Sequence, residues 1–261
     1  MASRSGKLLS VWDGAEHPKY ANLTQPVFSS NGNRVAYSAT NDTKRHVVVL
    51  DGKPGTEYDG VAALTFSADG RHFAHRANKA DKTFFVIDGK PQNIQFDNLS
   101  NEFLFAPKGN RFAYAGVRDK SWFVVVDGKE GEGCPEVSWI TFSPDGQHFA
   151  KGQIENDGRL HIYMDGVKRW SHSGEPAIRA RFSPDSSRLL YGILRDSGGV
   201  IVVDGVESPE FDVIGQPEFS PDGKHIAFFA RVGGGRDAVY LNNRMQQEFD
   251  ANTVRSYIYA E

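Results

Sequence analysis

An aromatic residue followed by a turn of the Ser-Pro-Asp-Gly type recurs along the whole chain. It stands at Phe28, Phe66, Phe105, Phe142, Phe182 and Phe219, with steps of 38, 39, 37, 40 and 37 residues. A period of that length marks a repeat architecture in which each copy is one supersecondary unit that must stack on its neighbours to bury its faces. A second landmark, an apolar run closing on Asp-Gly, runs out of phase with the first. It falls at Asp13, Asp51, Asp88, Asp127, Asp165 and Asp204, with Asn242-Asn243 as a worn seventh copy, and 14 residues beyond Asn243 lies Tyr257, a seventh aromatic.

The segment from Trp139 to Gly166 states the unit most fully. A short strand A ends at the Phe, and Asn31-Gly32, Asp69-Gly70, Asp145-Gly146 and Asp222-Gly223 are expected to supply the positive-φ positions of a tight A–B hairpin. Strand B (RVAYSA, RHFAHR, RFAYAG, QHFAKG, RLLYGI, HIAFFA) alternates larger apolar with small residues. After a charged loop, strand C is a continuous apolar run (VVVL, FFVI, WFVVV, LHIYM, VIVV, AVYL), as suits a strand buried on both faces. Asp-Gly then turns the chain into a polar edge strand D containing Tyr58, Phe96, Trp170, Phe211 or Phe249.

Four antiparallel strands per unit predict an all-β chain folded as a single β-propeller over residues 1–261. Seven blades are expected, the seventh a composite of about 1–24 and 250–261 that closes the ring by pairing the two ends of the chain. Lys7 to Trp12 reads as its strand C and Thr253 to Glu261 as its strand A, whereas its strand B has no evident sequence. That gap leaves open a three-stranded blade or a longer natural chain. A six-bladed ring would leave one Asp-Gly unit unexplained, and an open solenoid would need polar capping repeats.

The segments FSADGRHFA, FSPDGQHFA and FSPDGKHIA resemble the WD-repeat-like motif of TolB-type bacterial propellers, and six copies carry the resemblance over essentially the whole chain. The resemblance implies a binding or scaffolding module. It lacks the extra domain of TolB itself and the hydrolase domain of the prolyl-oligopeptidase relatives.

Composition narrows the function classes. A net charge of -3 gives no footprint for nucleic acid or an anionic membrane, and no apolar stretch is long enough for a membrane helix. The single cysteine, Cys134, allows no internal disulfide, which fits the cytoplasm and does not exclude the periplasm. No signal peptide is visible at the N-terminus, and a monomer is expected. The Asp-Gly pairs read as hairpin chemistry rather than calcium loops. His72, His148 and His225 share a slot that Arg34, Arg111 and Arg188 fill in other copies, which points to a tie within the hairpin rather than a metal ring. His17, His46, His75, His161 and His172 have no metal-ligand spacing. With no nucleophile elbow, zincin helix or phosphate loop, no catalytic residue, metal or cofactor is assigned.

Strand direction puts the uniform A–B and C–D hairpins on one face and the variable B–C loops and D-to-A crossings on the other, where recognition is expected. Arg45, Arg76, Arg118, Arg159, Arg195 and Arg231 are placed in those loops as candidate binding residues. A non-enzymatic propeller that binds a protein or peptide on this face is the leading expectation. An acidic-carbohydrate-binding protein, or a lyase-like enzyme acting on an acidic glycan at the channel mouth, is the alternative.

Overall fold

The computed structural model describes residues 20–233 and 235–249. It also gives the backbone of four short strands before them. Ring closure and the Thr253 to Glu261 strand fall outside the described residues, as do Asp13-Gly14, His17 and Tyr257.

Six successive sheets, each an antiparallel meander in the order A-B-C-D, occupy the described chain. Their B and C strands are Val35–Thr40 with His46–Leu50, Phe73–Lys79 with Lys82–Ile87, Phe112–Arg118 with Ser121–Val126, Phe149–Ile154 with Leu160–Met164, Leu189–Arg195 with Gly198–Val203, and Ile226–Val232 with Arg236–Leu241. In the first and sixth sheets strand A is broken into two pieces that both pair with strand B. There is no helix among the described residues. The fold is all-β and of the β-propeller class, built from blade-type sheets. The chain divides into two compact units, Met1–Gly133 with the first three sheets and Cys134–Glu261 with the last three.

Near the N-terminus, Lys7–Leu9 and Val11–Trp12 are two strands rather than one. The first pairs with Ala2–Arg4 and the second with Ala15–Glu16. Ala2–Arg4 thus stands where the sequence showed no strand, ahead of the apolar run.

Within each unit the core lies between consecutive sheets, and the period-2 alternation of strands decides which neighbour each residue meets. In the fifth sheet, Leu189, Tyr191, Ile193, Val200 and Val202 pack toward the fourth. Leu190, Ile201 and Val203 pack toward the sixth. Every residue of Gly198–Val203 is buried, which explains the unbroken apolar runs of strand C. Within a sheet, glycine on strand B leaves room for a large residue paired with it on strand A. A side chain on Gly152 would place its Cβ 2.5 Å from the Trp139 ring, and Trp139 itself is 3% exposed. Trp139 is therefore a packing residue.

The two Asp-Gly motifs do different work. After strand C, both turn residues take positive φ, as at Asp51 (50°) and Gly52 (76°), which the tight I′ hairpin requires. In the A–B hairpin only the glycine does, for instance Gly70 at 72°, contrary to the sequence expectation. There the aspartate contributes its side chain instead. Asp69 Oδ1 accepts from the Ser67 hydroxyl at 2.6 Å and from the Arg71 N–H at 3.0 Å, and Ser67 Oγ accepts the His72 N–H at 2.9 Å. The Ser67 bond, joined by the Arg71 N–H, holds the Asp69 carboxyl below the usual carboxylate range.

The carboxylate that follows strand C latches the sheet. Asp51 Oδ1 accepts the Val35 N–H at 2.9 Å and Oδ2 accepts Arg34 Nε at 3.0 Å. Asp88 repeats this with the Phe73 N–H and His72 Nδ1, and Asp204 with the Leu189 N–H and Arg188 Nε. Arg111–Asp127 and His148–Asp165 are the same device. In the sixth sheet Asn242 takes the place of the acid against Ile226 and His225. The His/Arg slot is thus a hairpin tie.

The tie also reaches the next sheet. Arg34 Nη1 donates to the Arg71 carbonyl at 2.7 Å, with its guanidinium 5.4 Å from the Phe66 ring centroid. Arg188 reaches the Lys224 carbonyl and Phe219 in the same way, and His72 lies against Phe105 and Asn110.

Two predictions follow from these contacts. Gly152→Val should lower unfolding free energy by about 1–3 kcal/mol through overpacking, read from urea melts. The hydrogen bond to Asp88 raises the His72 pKa. The corresponding stabilisation is fully present below the ordinary histidine value of about 6.5 and is lost as pH rises through the raised one. NMR titration should place the His72 midpoint above that value, and Asp88→Asn should bring it down.

Candidate functional site

The loop face is where the six arginines were expected, and the structure gives each a defined position. Arg45 and Arg159 directly precede strand C, in their B–C loops. The other four belong to strand B: Arg118 and Arg195 end it, Arg231 is its penultimate residue, and Arg76 lies at its middle, paired with Ala62 and Phe85. The B–C turns are tighter than the sequence suggested, so the strands extend over residues read as loop.

Each guanidinium is bonded to groups near it. In the first unit, Arg45 pairs with Asp59 of the D-to-A crossing. Arg76 Nη1 contacts the Leu99 carbonyl at 3.4 Å. Arg118 holds Glu130 on strand D with two bonds, 2.6 and 3.1 Å, and lies 4.6 Å from the Phe123 centroid. In the second unit, Arg159 donates to the Ser171 hydroxyl and carbonyl, and Arg231 to Asp237 at 2.9 Å. Arg195 bonds Glu207 at 2.7 Å, Glu210 at 3.4 Å and the Ser173 carbonyl at 3.1 Å.

Acids in the crossings join one loop to the next. Asp97 accepts from Lys82 at 2.8 Å in its own sheet and from the Asp119 N–H at 3.0 Å in the following one. The Lys82 bond holds its carboxyl below the usual range. Asp59 serves the second sheet likewise, accepting the Ala80 N–H at 2.7 Å. These shared acceptors fix the spacing of neighbouring loops in the first unit.

Two denser groupings lie in the second unit. Arg195 borders a hollow of about 450 Å³ lined by Ser173, Gly174, Glu175, Leu194, Asp196 and Ser197. Behind it runs a polar chain: Glu207 also bonds His172 Nδ1 at 2.8 Å, and His172 Nε2 meets the buried Tyr191 hydroxyl at 2.9 Å. Arg195 lowers the Glu207 pKa most, against burial, and His172 adds to it. Burial pushes the Tyr191 phenol well above its ordinary value.

The second grouping surrounds Glu155. Burial acts to raise its pKa, and bonds from Tyr163, Lys168 and Gln153 outweigh it, leaving the value lowered. His161, 4% exposed, meets Asp157 at 2.9 Å beside it. Among the described residues no cluster of His, Cys, Asp and Glu is arranged to hold a metal ion, and no helix is long and apolar enough to cross a membrane.

The sequence did not single out His75, His161 or His172 as buried. A sign was present for two of them: His75 and His161 stand inside apolar strand runs rather than at turns. His172 occupies the strand D slot filled by Tyr58 and Phe211 elsewhere, a slot that reads at Trp170 by residue type alone.

No family model matches the chain, and no curated protein matches it. Among solved structures, a eukaryotic initiation factor is similar at a TM-score of 0.52 and 13% identity, covering 95% of this chain and 73% of that one. The β-propeller domain of the Trilobed protease from Pyrococcus furiosus gives a TM-score of 0.42 at 14% identity, covering 95% and 94%. TolB from Acinetobacter baumannii gives 0.42 at 15% identity, covering 84% and 64%. Likeness at these identities concerns fold alone.

Glu207→Gln should destabilise the protein at pH 7. A depressed carboxyl contributes stability above its ordinary value of about 4.3 that is lost as pH falls through the folded value, so the gap from the parent should close in acid. Thermal melts over a pH series check this.

Proposed function

We propose that the chain is a non-enzymatic binding or scaffolding propeller that recognises a protein or peptide partner on its B–C and D-to-A loop face. The observation that carries the reading is the contrast between the two ends of the sheets. At the hairpin end, the same latch of carboxylate, backbone N–H and cationic slot recurs from sheet to sheet, so those side chains are committed to holding the fold. At the loop end the partners vary: Asp59, Ser171 and Asp237 answer Arg45, Arg159 and Arg231, Arg76 meets a carbonyl, and the third and fifth sheets share one pair, Arg118–Glu130 and Arg195–Glu207. Variation on a fixed frame is how scaffolds carry recognition.

The paired state of the arginines favours a protein surface over an acidic glycan. A uronic acid approaching Arg195 would have to displace Glu207 and Glu210, whereas a mixed-charge protein surface can add to such pairs at their rims. We further propose that the repeats are of the TolB type, on the strength of FSADGRHFA, FSPDGQHFA and FSPDGKHIA, and that a seventh, composite blade closes one ring over residues 1–261.

The test compares partner capture by the parent protein with capture by an Arg118→Ala/Arg159→Ala/Arg195→Ala triple variant, and with a hairpin-end control, Arg71→Ala/Lys224→Ala. Cross-linking mass spectrometry identifies the partner and circular dichroism checks the fold. A partner retained by the parent and control and weakened about tenfold or more in the folded triple variant supports the site. Equal retention by all three proteins rejects it.

A further inference from the structure

The fifth sheet departs from its neighbours at the corner where the chain crosses into strand A. In the second, third and sixth sheets the residue before strand A is an aspartate: Asp59, Asp97 or Asp212. Asp59 and Asp97 fill that corner. Each accepts a turn N–H, from Ala80 or Asp119, and each pairs with a cation, Arg45 or Lys82.

In the fifth sheet the same residue is Gly174. Its φ of 105° favours glycine, and a Cβ there would lie 2.6 Å from the Leu194 carbonyl oxygen. The corner therefore holds no side chain, and the hollow of about 450 Å³ beside Arg195 opens in its place. Leu194 shows the effect. The sixth residue of strand B is Thr40, Asn78, Val117, Ile154 or Arg231 in the other sheets, and all five are half-buried. Leu194 is 48% exposed.

The charges around this apolar surface are unbalanced. Glu175 is the direct partner of Leu194 on strand A, a relation that sets two side chains about 5 Å apart at Cβ. Asp196 follows Arg195 in the B–C turn. Both acids are exposed, and among the described residues neither carboxylate is engaged in a hydrogen bond or ion pair. Arg195, the one cation among the described residues lining the hollow, is already matched. Its Nη2 is on Glu207, its Nη1 on Glu210 and its Nε on the Ser173 carbonyl. Among the described residues the acids belong to no group of ligands that could hold a metal ion.

We propose that this hollow seats a basic side chain, lysine or arginine, of the protein partner. Its aliphatic stem lies along Leu194 and its charged end meets Glu175 and Asp196. Long basic side chains cover apolar surface with the stem while keeping the head at the solvent edge, which is the combination the hollow offers. In the second and third sheets the chain's own Arg45 and Lys82 answer the acid of the corner; in the fifth the partner supplies the cation. Complementary charge of this kind orients a partner and excludes acidic competitors. The inference rests on the reading of the loop face as a recognition surface and names the chemistry of what is recognised there.

The test titrates ¹⁵N-labelled protein with capped Gly-Lys-Gly and Gly-Arg-Gly peptides, with the Nε-acetyl-lysine counterpart and with magnesium chloride. The amide resonances of Gly174, Asp196 and Ser197 are followed. At least one basic peptide is expected to saturate and to move all three. The acetylated peptide should bind about fivefold or more weakly, and Glu175→Gln/Asp196→Asn should weaken the basic peptide to a similar extent while keeping the parent's melting temperature. Resonances that stay fixed under both basic peptides, an acetylated peptide that binds as tightly, binding that survives the double variant, or magnesium that displaces the peptide at a lower concentration would each overturn the proposal. Where the double variant fails to fold, the acetylated peptide decides the matter on the parent protein. Capture of the natural partner separates this inference from the reading it rests on. A partner lost by the Arg118→Ala/Arg159→Ala/Arg195→Ala variant but kept by Glu175→Gln/Asp196→Asn overturns the hollow and leaves the loop face standing, whereas a partner kept by both rejects the loop face itself.

Discussion

In five of the six described sheets one carboxylate holds the strands in register. It follows strand C, accepts the first N–H of strand B on one oxygen and a guanidinium or imidazole on the other, and sits on a turn that demands positive φ. The single side chain therefore closes the C–D hairpin, pins the B–C pair and orients a cation. That cation then reaches a carbonyl and a phenylalanine of the next sheet. Charge-assisted bonds of this kind are stronger than neutral ones, and those of Arg34 and Arg188 serve two sheets at once.

With the hairpin ends latched, glycines on strand B receive large residues paired with them on strand A, as Trp139 over Gly152 and Ile178 over Gly192 show. The opposite ends of the strands carry no such shared requirement. Their arginines find whatever acceptor the local loop provides, and the crossing acids Asp59 and Asp97 bind neighbouring loops together without imposing one sequence on them. Uniformity at one end releases the other to vary.

The sequence made the meander and its period readable because both depend on local rules: turn residues with fixed backbone demands, and runs whose burial on two faces excludes polar residues. The role of the His72 and Arg34 slot was equally readable, since only a hairpin tie explains the interchange of the two residue types. What could not be read depended on neighbours distant in the chain. Nothing near Arg76 marks it as a strand residue, because the tight turn at Ala80 that lengthens the strand is carried by a residue with no turn preference. Asp69 and Asp51 both precede glycine, yet only Asp51 takes a positive φ, and their carboxylates turn to different partners, Ser67 and Arg71 within the turn for Asp69, Val35 and Arg34 on strand B for Asp51. The hollow beside Arg195 and the polar chain behind it join residues from two sheets that lie far apart in the chain.

The sixth sheet keeps the geometry of the latch but changes its chemistry, with Asn242 where the others have aspartate. An amide oxygen holds the strand N–H as a carboxylate does, but the amide nitrogen faces the His225 ring where the other described sheets place an ion pair. Dissolved salt, which screens charges and leaves neutral hydrogen bonds largely alone, thus meets two kinds of joint among the described sheets. What fastens the sixth sheet is the geometry of the joint alone, and its charge is dispensable.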